Sequence, residues 1–251
     1  MLQSGVLSFA EPGHPPRIEA AGGWTASTPF QIASVSKNLA ATLVVLLAEE
    51  GRLDLHEPLA RWLPEATPAW HLRTLHQLLS HTAGVGHWPD VPGLSPAIPA
   101  TRDERLTVLL GEPPKTPGRF HYSGPGFLVV GAVAERAGGK PYAELLADRI
   151  LGPLGMTATV SGVRPPGAAP GLRAGQPVRP WDTSSMLGAG DLWSTAADLA
   201  AYALHRATLL TARSLDLMRT EHARFDQPDT GADGRIAITG HGYGHFTGTI
   251  D

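Results

Sequence analysis

The sequence predicts a mixed α/β chain in which strands near its two ends flank a long block of helices. Three observations carry this. Two short stretches, SGVLSFA (4–10) and RIEAAGG (17–23), read as strands joined by the Pro/Gly turn EPGHPP. Helical patterns then follow one another from residue 34 to about 220. A glycine-rich tail over 231–251 has the composition of a further strand. Two strands do not make a stable sheet alone, so the sheet is expected to draw on strands that periodicity hides or that lie outside these residues.

The elements follow in order. FQIASVSKNLAATLVVLLAEEG (30–51) gives a helix from about Ser34 to Glu50 that stops at Gly51; its run from Leu39 to Ala48 is apolar except for Thr42. A helix apolar all round should be buried all round. LRTLHQLLSHTAG (72–84) places Leu72, Leu75, Leu78 and Leu79 at helical spacing and breaks at Gly84. After a Pro/Gly-rich loop, TRDERLTVLLG (101–111) reads as a Thr-capped helix. The segment EPPKTPGRFHYSGPGF (112–127), with four prolines and three glycines, is irregular and delivers Tyr122 and Ser123 to the apolar helix FLVVGAVAERAGG (127–139). Residues 140–156 form another helix, with Pro141 in its first turn and Gly152 past its end. Residues 157–187 read mostly as loop, 188–205 as a strand or turn before a helix capped by Ser194, and 213–220 as a last short helix.

Composition removes several function classes. The chain has 251 residues, enough for one large domain or two small ones, and a formal net charge of -3 with no basic stripe or acidic tail. Nothing therefore points to nucleic acid. The absence of cysteine excludes disulfides and thiolate metal sites but leaves the redox compartment open. The apolar run of the first helix is far shorter than the roughly 20 residues that span a bilayer, and MLQSGVLSFAEPG has no signal-peptide pattern. A soluble, cytoplasmic protein without membrane partners is the expectation, and oligomeric state is unreadable.

Ser34 and Lys37 are the first candidates for chemistry. At i and i+3 they share a helix face, and a serine at a helix start sits at the positive end of the dipole among free N–H groups. A nearby lysine serves as base if burial lowers its pKa. The plain alternative is a capping serine and a solvated lysine, although lysine is scarce here, three against 17 arginines. Tyr122, in a loop before an apolar helix, is the second candidate, since its hydroxyl can relay a proton. A packing tyrosine is the plain alternative.

SVSK, with TPFQIAS before it and AEEGRLDLHEPLARWLPE after it, is followed in order by HQLLSHTAGV, YSGPGFLVVGAVAERAGG, ILGPLGMTAT and GAGDLWSTAADLA. In that order the chain resembles the serine β-lactamase-like superfamily, most of all its class C-related branch of esterases, D-amino-acid peptidases and penicillin-binding-protein relatives. The resemblance implies a sandwich of an antiparallel sheet with flanking helices and an inserted all-helical domain. The α/β lobe would comprise about 1–65 and 188–251, the helical lobe about 66–187, with the site between them. Ser34 would be the acylated nucleophile, Lys37 its base, and Tyr122 the tyrosine of the Tyr-x-Asn motif. Gly124 stands where that motif has Asn, which tilts the substrate from β-lactams and peptides toward esters. The third motif, Lys-Thr-Gly or His-x-Gly, and the closing strands are expected beyond Asp251, with His245, Thr247 and Gly248 as an internal substitute.

No cofactor or metal is expected. His241 and His245 are surrounded by glycines, and His76, His81 and His87 lack a carboxylate at ligand spacing. Glu49 and Glu50 read as a solvated helix end. The function this supports is a serine hydrolase acting on a small ester or amide, with carboxylesterase favoured. Acyl transfer, peptide cyclisation and an inactive binding remnant stay open.

Overall fold

The structure, a computed structural model, describes residues 5–178, 182–230 and 236–250. The chain begins with an antiparallel hairpin, β1 (Gly5–Phe9) and β2 (Arg17–Ala21), in the register Gly5↔Ala21 to Phe9↔Arg17. A two-residue strand, β3 (Phe30–Gln31), leads through a single 3-10 turn (Ala33–Val35) into α1 (Ser36–Glu49). Leu39, Leu43 and Leu47 are each 0% exposed, and Ala40, Ala41, Val44 and Val45 are buried between them. Each such leucine contributes about 1.5–3 kcal/mol of burial, so α1 is the post around which the core condenses.

Short helices α2 (Pro68–His71) and α3 (Leu75–Leu79) come next, then α4 (Arg102–Gly111) and α5 (Gly124–Gly138). The helix expected over 72–84 shortens to α3. Thr74 caps it in a box with Gln77, and His81, at φ 59°, turns the chain away. Thr101 caps α4 as expected. Helix α5 starts three residues earlier than its apolar pattern, because Ser123 accepts the Gly126 N–H and Pro125 fits the first turn. It packs along α1, buried from Gly124 to Ala134.

Helix α6 (Tyr142–Leu146) continues as a π-helical turn to Leu151. The stretch read as loop, 157–187, contains strand β4 (Val160–Ser161) and a small hairpin of β5 (Gly171–Arg173) and β6 (Gln176–Val178). Strand β7 (Leu192–Ser194) lies between β3 and β4 in a three-stranded antiparallel sheet. Ser194 is not the cap of the following helix, α7 (Ala196–His205). It is the last residue of β7, pairing with Phe30, and the cap passes to Thr195, which accepts the Asp198 N–H at 3.1 Å. Helix α7 packs against β1.

After α8 (Ala212–Arg219), strands β8 (Ala223–Thr230), β9 (Ile236–His241) and β10 (Phe246–Ile250) form a second three-stranded sheet in the order β10-β9-β8. The strand expected in the tail is thus a pair, with residues 231–235 outside the described residues. The class is mixed α/β, with antiparallel sheets and flanking helices. No helix among the described residues is long and apolar enough to cross a membrane.

Candidate active site

Ser34 lies exposed in the 3-10 turn that opens α1. Ala33 before it has φ 44°, a left-handed conformation that costs a non-glycine residue of order 1–3 kcal/mol. The turn leaves the Ser34 hydroxyl at the helix mouth while Lys37, one turn on, goes inward and is 3% exposed. Lys37 Nζ donates to Ser34 Oγ at 3.1 Å and to the Ala189 carbonyl at 2.5 Å. It also lies 5.2 Å from the Tyr122 ring centroid and 5.6 Å from that of Phe127.

Burial pulls the Lys37 ammonium down to about 8, opposed by the negative field of Asp191. Asp191 is itself 0% exposed, and burial pushes it up to about 6 against four restraints: hydrogen bonds from Ser161 Oγ, from its own N–H and from the Gly188 N–H, and the Lys37 charge. At pH 7 Lys37 is mostly ammonium, and the free amine that can accept a proton from Ser34 grows as pH rises. The rate of any Ser34-dependent acylation should climb with an apparent pKa near 8. Asp191→Asn keeps the acceptor for Gly188 but removes the charge, so the limb should move to lower pH; a pH profile of kcat/KM measures both.

Tyr122 is half-buried, and its hydroxyl hydrogen-bonds the Ser34 side chain; burial pushes its pKa up. Ser34, Lys37 and Tyr122 therefore come together, although Tyr122 arrives on a different segment. Gly124 is buried behind Tyr122, its N–H donating to His87 Nδ1 at 3.1 Å. A Cβ at Gly124 would lie 2.5 Å from Trp88 Nε1, so the indole fills the space a side chain would need. Beside this segment a cleft of about 320 Å³ is lined by residues that include Gly84, Lys115, Arg119 and His121.

His245 is not gathered with these groups. Its Nδ1 is 3.0 Å from the Tyr243 carbonyl and 3.5 Å from Asn38 Nδ2, and burial first, then the charges of Arg206 and Arg219, disfavour its protonation. None of its described contacts reaches Ser34 or Tyr122. Thr247 instead donates to Glu221 at 3.0 Å, and Gly248 sits at a bulge against Ala237. The end of β9 and the start of β10 approach the site through other residues. The His241 ring lies 4.6 Å from that of His81, and Phe246 stacks on Tyr122 at 6.2 Å. Among the described residues no three His, Asp or Glu side chains are gathered as a metal ion would need.

Sequence reasoning missed Asp191, Trp88, His81 and His241 as neighbours of this site. Asp191 had a faint signal, a lone acid among glycines before a strand. The others come together only through long-range packing.

The chain is 36% identical over 167 residues to "Esterase EstB" of Burkholderia gladioli and 28% identical over 179 residues to "Putative penicillin-binding protein PbpX" of Bacillus subtilis, matches that take in 60% and 68% of this chain. They cover 41% and 44% of those relatives, so the chain spans less than half their length. The D-amino acid amidase of Ochrobactrum anthropi SV3 superposes with a TM-score of 0.79 at 26% identity, over 96% of this chain and 75% of the amidase. A penicillin-binding protein from Bacillus halodurans, at 24% identity and a TM-score of 0.79, has the same fold, covering 99% of this chain and 82% of its own. The profile of the Beta-lactamase family matches residues 8–249, and the chain belongs to that family, within the serine hydrolase superfamily.

Proposed function

We propose that the chain acts as a carboxylesterase through an acyl-enzyme on Ser34. The observation that carries this is the buried Lys37 amine, its Nζ 3.1 Å from Ser34 Oγ and its pKa lowered to about 8. In this reading Ser34 Oγ attacks the ester carbonyl carbon as its proton passes to Lys37 Nζ. The C–O bond to the leaving alcohol then breaks, and Tyr122 supplies the alkoxide with a proton that Lys37 replenishes. Water, deprotonated by the same pair, attacks the acyl carbon and releases the acid and Ser34. The helix mouth adds N–H groups and a positive dipole for the oxyanion. Ser34 and Lys37 come from the α/β lobe (1–65 and 188–251), Tyr122 from the helical lobe (66–187), and the site lies between them.

Ester is favoured over amide or β-lactam because Gly124, with Trp88 packed on it, leaves no room for the amide side chain of the Tyr-x-Asn pattern. The relative named an esterase agrees. The likeness to a D-amino acid amidase supports a second reading, hydrolysis of a small amide by the same three residues.

Intact mass after a fluorophosphonate tests the acyl-enzyme. A single adduct is expected on the parent and none on Ser34→Ala; a parent left unmodified, or a variant still modified, sinks the proposal. Rates on p-nitrophenyl butyrate, D-phenylalanine amide and a chromogenic cephalosporin then separate ester, amide and β-lactam turnover.

A further inference from the structure

We propose that His81 is the positioning residue for Tyr122 and that it works as a neutral imidazole with its proton on Nε2. Two bonds from this one residue bracket the tyrosine. The His81 carbonyl accepts the His121 N–H at 2.9 Å, and its Nδ1 accepts the Ser123 N–H at 3.0 Å. Tyr122 is the residue between those two amides, and its ring lies 4.6 Å from the imidazole.

An Nδ1 that accepts carries no proton, so a neutral ring holds its hydrogen on Nε2. That Nε2 is buried and has no partner among the described residues. A buried donor without an acceptor is costly, and the bond to Ser123 is what fixes the ring in this orientation. The backbone at His81 is left-handed too, at φ 59°, a conformation uncommon outside glycine although histidine, like asparagine, adopts it more readily than most.

A second proton on this ring would set two N–H donors against each other, Nδ1–H and Ser123 N–H. Burial opposes that proton first, then the facing His241, Lys37, His87 and His121, while the remaining neighbours are the rings of Phe120, Tyr122 and Phe127. His87 repeats the device one residue on, its Nδ1 accepting the Gly124 N–H, with Lys37, His121 and Asp90 around it. Consecutive amides at the start of α5, which a helix leaves unpaired, thus end on two imidazoles, and Tyr122 is held between their rings, 4.6 Å and 5.6 Å away.

This role shapes turnover only if Tyr122 moves protons as proposed above, whereas the tautomer can be read in an inactive protein. Three variants separate positioning from packing. Asparagine tolerates the left-handed backbone and carries an oxygen at the reach of Nδ1; glutamine carries one near Nε2; alanine carries none. His81→Ala and His81→Gln should each lower kcat/KM on p-nitrophenyl butyrate by about 100-fold, mostly in kcat, as a misplacement of about 1 Å does. His81→Asn should recover at least tenfold of the alanine loss. In a ¹H–¹⁵N spectrum of the histidine rings, His81, assigned by its disappearance in the variants, should be a neutral Nε2–H ring from pH 5 to 8. An asparagine variant no better than alanine, with all three variants folded, overturns the proposal. So does a parent ring protonated on Nδ1 at pH 6, whether or not the variants fold. A parent inactive on every ester, with His81 still an Nε2–H ring, counts against the proposed reaction and not against this placement.

Discussion

Lys37→Met is expected to lower kcat/KM on a p-nitrophenyl ester by about 10³-fold, the middle of the range for a lost general base. Methionine matches the stem of lysine and fills the same channel beside Phe127, so the loss would report the amine and not a cavity. Slower fluorophosphonate labelling of Ser34 should accompany it. Stability gives a separate readout. A lysine pKa pulled from 10.5 to about 8 means that folding disfavours the buried ammonium by about 3 kcal/mol. Methionine removes that cost but also removes the cation facing Asp191 and the donor to Ala189. Asp191 has a folded pKa raised from 3.8 to about 6, so its burial costs stability progressively between about pH 4 and pH 6 and in full above that. In the parent the ammonium offsets part of that penalty until it loses its own proton near 8. The variant should therefore be at least as stable as the parent at pH 5 and lose ground to it between pH 6 and 8. Denaturant titrations at the three pH values measure it, and a constant difference would mean that the two groups do not feel each other.

Gly84→Ala should destabilise the fold by about 3 kcal/mol or more and lower Tm by about 6–12 °C. Gly84 has φ +77°, which costs an L-residue about 1–2 kcal/mol, and an added Cβ would stand 2.2 Å from the Lys115 carbonyl oxygen and 2.7 Å from its carbon. Backbone can yield only by separating two segments that are bonded together. Lys115 N–H donates to the Gly84 carbonyl at 2.9 Å, Gly118 N–H to Thr82 at 2.8 Å, and His121 N–H to His81 at 2.9 Å. Arg73 adds to this, its guanidinium donating to the carbonyls of Ala83 and Lys115. Tyr122 stands at the end of the same pairing, so the variant should lose kcat at temperatures where it is still folded. Thermal unfolding followed by circular dichroism decides the first point; an unchanged Tm would show that the two segments separate freely.

The parts of this fold written into short-range pattern were legible. The apolar run from Leu39 announced α1 and its burial, and Thr101 announced the start of α4. What escaped was set by partners distant in sequence. Strand β8, ARFDQPDT, has too many charges and a proline to alternate, and becomes a strand only against β9. Strands β3, β4 and β7 have two or three residues each, too few for any period. Ser194 was read as the helix cap, but the pairing of β7 with Phe30 claims it and the cap passes to Thr195. At the site, Ser34, Lys37 and Tyr122 were named from the sequence, whereas His81 looked like a stray histidine at a helix end. Its meaning depends on which amides the chain brings to it from forty residues away, and no spacing rule encodes that.

Ser34 and Lys37 ride on one continuous element, the start of α1, while Tyr122 hangs from a length of irregular backbone tied to residues 81–87. Both jaws of the site are thus held by backbone, one by the start of a helix and the other by amides bound to two imidazoles. If Ser34 and Lys37 act as nucleophile and base, as proposed above, a bulky acyl group has little freedom to push either jaw aside, and a narrow range of acyl groups is the expected consequence.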